Sequence, residues 1–489
     1  MAKLDRQLGL LALTATGICA MLGASINVVP FMVHRSVPGI ADYVLPAFAF
    51  AALPALMAAL AYGALASAMP RAGGSYLYAS RGLSPYLGFI ASFSQWFVLS
   101  IVIGVIAYVI VPFLRDIAVA LEWSGLATAL ETSWIRVGLA LGMIWLFVAI
   151  NIRGLRLYAR TLVPMMFIMF ALGAIVIFAG FAYDHGDFAT ALLERDARVL
   201  PEAPEAAWRW PVFLSAAALM FSSFIGFDAI AQAGGEARNP SRMLPVAILL
   251  AIATVGAFYF LFAAAVYHAV PWWFVADEAI AKDISAPGLL AYLLPAGLGI
   301  AILTGAAIAL INDLPAMLLS VSRLMFAWAE DGIFPPSIAK VHERFHTPHR
   351  ALVASGVFAS IGVLGSHFAG NFFLGIDIMV TAMLVNFLLM CLTLLNLPRA
   401  NAALAGEVRA LGRRGAQLAV GGTGAALLIG FLIIHVWKDL ASDKAAWYFH
   451  STWVWLLVMA LGSVVYFTRR ATLVREGIDL RARFSELPE

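Results

Sequence analysis

The sequence predicts an all-α polytopic membrane protein with about twelve spanning helices, and three observations carry that prediction. Hydrophobic residues make up 63% of the 489 and charged residues only 12%, with a mean hydropathy of +0.91. A soluble domain is about 45–50% apolar and about 25% charged, so this surface suits lipid and would aggregate in water. The apolar residues also fall in long runs, and a helix needs about 20 of them to cross hydrocarbon. Those runs are apolar throughout. That excludes a closed β-barrel, whose strands alternate apolar and polar over about ten residues.

The elements follow in chain order. The first run, 8–34, comes after Lys3 and Arg6 and is too long for the apolar part of a cleavable signal peptide. Its middle, TATGICAMLGASINVVP, sets Gly17, Gly23, Ala24 and Ser25 at mid-depth, with Pro30 beyond. Spans 2 to 5 are read at 42–69, 86–113, 134–151 and 161–182. A polar outer loop from Tyr183 to Ala207 leads to span 6 at 209–233. Its stretch ALMFSSFIGFDAIAQAGGEARNP sets Ser222, Ser223, Gly226 and Asp228 at a similar depth. Span 7 is read at 243–269. The eighth run, 288–327, exceeds one crossing and is expected to begin with a helical extension or a separate turn. Spans 9 to 12 are read at 350–368, 371–396, 416–436 and 450–467, before a short charged tail.

Twelve crossings put both termini on one side, and the basic residues say which. Twenty-two of the 31 Lys and Arg fall on the terminus side, leaving 9 scattered from Arg35 to Lys444. Cytoplasmic segments carry such an excess, so both termini are expected in the cytoplasm of a bacterial inner membrane. Cys19 and Cys391 both sit in apolar stretches and read as small buried residues, with no disulfide framework or metal site.

Two spans are interrupted in the same way. Glycine loosens a helix and small polar side chains compete for its backbone groups. Exposed backbone is costly in hydrocarbon, so unwinding is tolerated where it lines a cavity. Breaks in spans 1 and 6, five apart, suggest two inverted halves with the solute between them. The expected organisation is one membrane transport domain, 1–489. Its halves are 1–183 (spans 1–5) and 208–397 (spans 6–10), followed by two extra helices in 416–468 and a cytoplasmic tail, 469–489. The competing explanation is that small residues merely allow close helix packing.

Pro70-Arg71-Ala72-Gly73-Gly74-Ser75-Tyr76 after span 2 resembles the PRAGGSY signature of the amino acid–polyamine–organocation superfamily. Phe224-Ile225-Gly226-Phe227-Asp228 with Glu236-Ala237-Arg238-Asn239-Pro240 is similar to another of its motifs. So is Ser322-Arg323 followed by Ala329-Glu330-Asp331-Gly332. The chain is thus identified as a permease of the bacterial amino-acid transporter type. The resemblance implies a 5+5 inverted repeat, alternating access, and amino acids or related amines as substrates.

It also implies a site. The family's span-1 break holds a substrate carboxylate on free amides, and the matching residues are Gly23, Ala24, Ser25, Ile26 and Asn27. Here Ser25 replaces a glycine and Asn27 an aromatic. The span-6 break offers carbonyls to an ammonium along Phe221, Ser222, Ser223, Phe224 and Ile225. Phe221 or Ser222 stands where similar permeases place a gating aromatic, and Asp228 matches the family's acid past the break. Asp228 is read first as a network residue and second as a ligand contact. Span 3 has Ser100 where carriers of cations can have an acid, and Ala64 replaces a span-2 glutamate. Both favour a small neutral amino acid.

For coupling, Met169 stands where some proton-coupled relatives have a lysine. Asn312 and Asp313 in span 8 match a hydroxyl pair that helps bind sodium in similar folds. A carboxylate at mid-depth is expensive and marks an ion or proton path, and oxygen ligands suit a hard cation. Asp313 is therefore expected to bind Na⁺ or to be protonated in turn, the alternative being a structural carboxyl held by neighbouring helices. No cofactor beyond Na⁺ is implied.

An exchanger or a carrier of an amine remains the runner-up. His342-Glu343-Arg344-Phe345-His346 spells the HExxH of zinc metalloproteases, but in a basic loop with Pro348 close behind. The expected partners are the bilayer and a small amino acid or amine, with no nucleic acid. The loop from Arg115 to Arg136 has no cysteine with which to attach a heavy chain by a disulfide. Spans 11 and 12 lie outside the repeat, free to pack on lipid or on another copy.

Overall fold

The computed structural model describes residues 4–282, 284–369, 372–443 and 446–487, and they are overwhelmingly helical. Twelve helices or helix pairs among them are long and apolar enough to cross a membrane. The first six are Leu10–Ser36, Ala41–Ala68, Pro85–Ala120, Ser133–Ile152, Leu155–Ala182 and Trp210–Glu236. The second six are Pro240–Ala269, Gly297–Glu330, His349–Phe368, Leu374–Ala400, Arg414–Ala441 and Ser451–Arg475. They are called spans 1 to 12 below.

Burial sorts these spans into a centre and a rim. The most apolar stretch of span 1 is 94% buried and that of span 6 is 89%, against 22% for span 5 and 28% for span 12. The two interrupted spans therefore form the middle of the bundle, where a broken backbone can be enclosed by protein. Span 3 runs past span 8 on one side and spans 9 and 10 on another. Its start is set by Ser84, whose Oγ accepts the Leu87 N–H at 3.2 Å, with Pro85 in the first turn.

Some boundaries differ from those the hydropathy suggested. The long eighth run does divide as its length suggested, into a short helix, Ala286–Leu290, and a span that begins after Pro295. Span 5 starts at Leu155 because Gly154 (φ +113°) turns the chain directly into helix, so Arg156 and Arg160 belong to its first turns. The outer loop after Tyr183 is not irregular either. Asp184 closes a capping box with Asp187 and starts the helix His185–Asp196.

The side carrying the termini is laced by local pairings. Leu8 and Ala237 form an isolated parallel bridge, with Leu8 N–H donating to the Glu236 carbonyl at 2.9 Å. Arg323 of span 8 holds the Glu236 carboxylate by two hydrogen bonds of 3.0 and 2.5 Å, both side chains fully buried.

Candidate functional site

Span 1 stops as a helix at Met21 and restarts at Ala24, with Leu22 and Gly23 between. Proline cannot explain this, because Pro30 lies well inside the second half. What the gap requires is a residue without a side chain. A Cβ built on Gly23 would lie 1.4 Å from Asp313 Oδ2, so the span-8 carboxylate already occupies that space.

Span 6 breaks over a longer stretch. The helix Trp210–Met220 tightens into a 3₁₀ turn at Phe221–Phe224. Ile225 is extended (φ −81°, ψ 126°), Gly226 is left-handed (φ +137°), and helix resumes at Ala229. The two breaks touch. A Cβ on Gly226 would come within 2.3 Å of the Ala20 carbonyl oxygen. The nearby Met21 carbonyl accepts the Tyr259 hydroxyl at 2.8 Å, which satisfies a backbone group freed by the interruption.

Between the breaks lies a cavity of about 30 Å³. Ala20, Met21, Ser222 and Ile225 bring the breaks to its wall, and Asp313 reaches it from span 8. The rest is apolar, from Val102, Val105 and Ile106 on span 3 to Ile376 and Met379 on span 10. Asp313 is the one charged residue among those lining it. It is 2% exposed, and its Oδ1 has no hydrogen-bond partner among the described residues. Asn312 beside it donates from Nδ2 to Cys19 Sγ at 2.8 Å, leaving its own Oδ1 unpartnered. Asp313 Oδ1 is thus a buried oxygen with unused lone pairs beside the interruption of span 1, which a cation suits.

The residues expected at the site divide between different surroundings. Gly23 lies on Asp313, while Ser222 and Ile225 line the cavity. Ile26 and Asn27 turn instead into a second cavity of about 20 Å³, shared with Leu22 and Met169. Phe221 packs between Phe387 and Phe431, and Phe224 lies on Phe48. Ser223 is buried with its Oγ unpartnered. The side chains of Ala24 and Ser25 lie outside the described residues.

Asp228 belongs to a polar network. It accepts a hydrogen bond from Gln95 Nε2. The Gln95 Oε1 in turn accepts from Ser75 Oγ (2.8 Å), Asn386 Nδ2 (2.9 Å) and Gln232 Nε2 (3.2 Å). Gln95 and Asn386 were not singled out from the sequence. Their signal was there, since each is a lone amide inside an apolar run, where an unpaired polar group would be costly.

The HExxH segment is a turn and not a helix, so its histidines do not share a helical face. His342 Nδ1 accepts the backbone N–H groups of Arg344 and Phe345, and His346 is left-handed (φ +54°). Among the described residues, no three His, Cys, Asp or Glu side chains gather as a metal site would require.

Known proteins resemble this chain along most of its length. Low-affinity putrescine importer PlaP of Escherichia coli (strain K12) is 26% identical over 371 residues, 74% of each chain. Branched-chain amino acid permease BcaP of Bacillus subtilis (strain 168) is 28% identical over 386 residues, also 74% of each. Cationic amino acid transporter 4 of Homo sapiens is 27% identical over 383 residues, 73% of this chain and 55% of that one. The family described as amino acid permease matches residues 8–467, nearly the whole chain. With twelve spans, two touching breaks and that match, the protein belongs to the amino acid permease family.

Proposed function

We propose that this chain is a secondary active transporter of a small amino-bearing solute, working by alternating access and coupled to Na⁺ or H⁺. It sits in a bacterial inner membrane with both termini cytoplasmic, and spans 1–5 and 6–10 act as two inverted halves. The observation that carries the reading is Asp313, a buried carboxylate with an unpartnered oxygen where a broken helix meets the central cavity. A charge so placed is neutralised by a cation in some step of the cycle, because leaving it alone in hydrocarbon is expensive. The relatives named for putrescine, cationic and branched-chain amino acids support the amino group as the feature the solutes share.

Two solute classes fit. A small neutral amino acid is favoured by Ser100 and Ala64, which stand where acids would suit a cationic side chain. A carboxylate-free amine is favoured by the position of Asp313 against the span-1 break. The test is thermal stability of the purified protein against both classes, in Na⁺ or choline at fixed pH. Stabilisation that depends on Na⁺ or on pH supports coupling. A ligand at a hundredfold excess over its Kd adds about 2.7 kcal/mol. Unchanged ion dependence in Asp313→Asn would overturn the role given to that residue.

A further inference from the structure

We infer that the solute is a monoamine with no carboxylate, a short aliphatic ammonium paired with Asp313. The inference rests on the transporter reading above and names its substrate class.

A buried carboxylate needs hydrogen-bond donors or a cation beside it. The cavity wall carries no cation, and the first turn after Gly23, whose free N–H groups could hold an anion, is not part of it. The one ionisable group on the wall is the chain's own carboxyl, Asp313, set against Gly23. From the Cβ position of Gly23, Asp313 Oδ2 lies at 1.4 Å, Cγ at 2.3 Å and Oδ1 at 2.8 Å. A substrate carboxylate in the cavity would find no cation to pair with and, whenever Asp313 is ionised, a like charge in a site shielded from water.

An ammonium meets the opposite situation. Asp313 Oδ1 is buried without a partner among the described residues, and an ammonium brings three donors to such an acceptor. Beyond that one charge the wall is made of Val102, Val105, Ile106, Met317, Ile376 and Met379, which suit a hydrocarbon tail. A diamine would bury its second ammonium unpaired, which is costly. The other buried acid at the breaks, Asp228, is turned to Gln95 and is absent from the wall. The cavity of about 30 Å³ holds little more than two water molecules, so the tail is short and the cavity widens to admit it.

Matched pairs test this on the full-length protein in detergent, by thermal shift and titration calorimetry. Isobutylamine is compared with valine and isoamylamine with leucine, which differ only by the carboxylate, and putrescine supplies a second ammonium. Each monoamine is expected to bind at least tenfold more tightly than its amino acid and than putrescine. Asp313→Asn should lose monoamine binding by tenfold or more while the ligand-free melting temperature shows that it folds. The wild-type comparison stands even if that variant does not fold. An amino acid binding as tightly as its amine overturns the inference and leaves the transporter reading in place. Equal binding of putrescine overturns the single-charge restriction. If none of the five compounds binds, the inference and the amino-solute reading fall together.

Discussion

A methyl group added at Gly23 would put its carbon 1.4 Å from Asp313 Oδ2, and the carboxylate cannot stay where it is. Gly23→Ala is therefore expected to push Asp313 off the break and abolish solute stabilisation, while changing the ligand-free melting temperature far less. Gly226 carries a different constraint. Its φ of +137° is one that side chains rarely adopt, and its Cβ would stand 2.3 Å from the Ala20 carbonyl. Strain of this kind costs roughly 1–3 kcal/mol. Gly226→Ala should therefore lower thermal stability as well as binding, and the contrast between the two variants separates a displaced ligand group from a strained backbone. A Gly226→Ala protein as stable as the parent would show that the two spans do not touch as described.

At the scale of elements, spans 3 and 9 cross through two glycines. A Cβ on Gly104 would come 2.1 Å from the Ala359 carbonyl, and one on Gly362 would come 2.3 Å from that of Ile101. Helices in lipid associate by such close packing, since burial from water does not drive them together. Gly362→Val is expected to part the two spans. It should also weaken binding, because span 3 carries Val102, Val105 and Ile106 into the cavity. A melting temperature within error of the parent would contradict this. The helix Trp272–Ala281 is held differently, by Glu278 contacting Arg198 at 2.7 Å and Lys282 at 2.5 Å. Burial raises the Glu278 pKa, but the bonds and charges of Lys282 and Arg198 outweigh it and hold the carboxyl below its ordinary value. A depressed carboxylate stabilises above its unfolded pKa and stops doing so as pH falls through the folded one. Protection of this helix from hydrogen exchange, taken relative to the intrinsic rate at each pH, should therefore fall as the pH drops below the usual carboxylate range. Glu278→Gln should remove that acid dependence, and if the variant keeps it, another group is responsible.

For the molecule as a whole, the side bearing the termini is tied together by a second buried ion pair besides Arg323–Glu236. Arg81 holds Asp331 by bonds of 2.6 and 2.9 Å, and Tyr76 donates to the same carboxylate at 2.6 Å. The tail joins them. Arg81 Nε donates to the Glu486 carbonyl at 3.2 Å, its guanidinium lies 5.2 Å from the Phe484 ring, and Arg483 donates to the Asp331 carbonyl at 3.2 Å. Removing one partner of a buried pair strands the other charge, at about 3–5 kcal/mol. Asp331→Ala should accordingly lower the melting temperature and expose the tail to protease. A tail that stays protected would mean that the contacts of Phe484 hold it without the ion pair.

The sequence by itself determined the spans, the two breaks and the cost of Asp313. Each is a local consequence of lipid as solvent, which satisfies no backbone group and tolerates no idle charge. Signature segments around Gly73, Gly226 and Arg323 likewise announced the family, because each is contiguous. Tertiary structure alone decided which side of each broken helix faces the cavity. Ser222 and Ile225 look into it, while Ile26 and Asn27, one turn past Gly23, look into another. It also decided the partners, since Gln95 meets Asp228 across 133 residues and Arg81 meets Asp331 across 250. Periodicity within one helix names a face but not the helix that will cover it, and the covering helices here come from both halves of the chain. The physical reason is that a charge's cost is set by its own depth in the membrane, whereas its role is set by what the fold places against it.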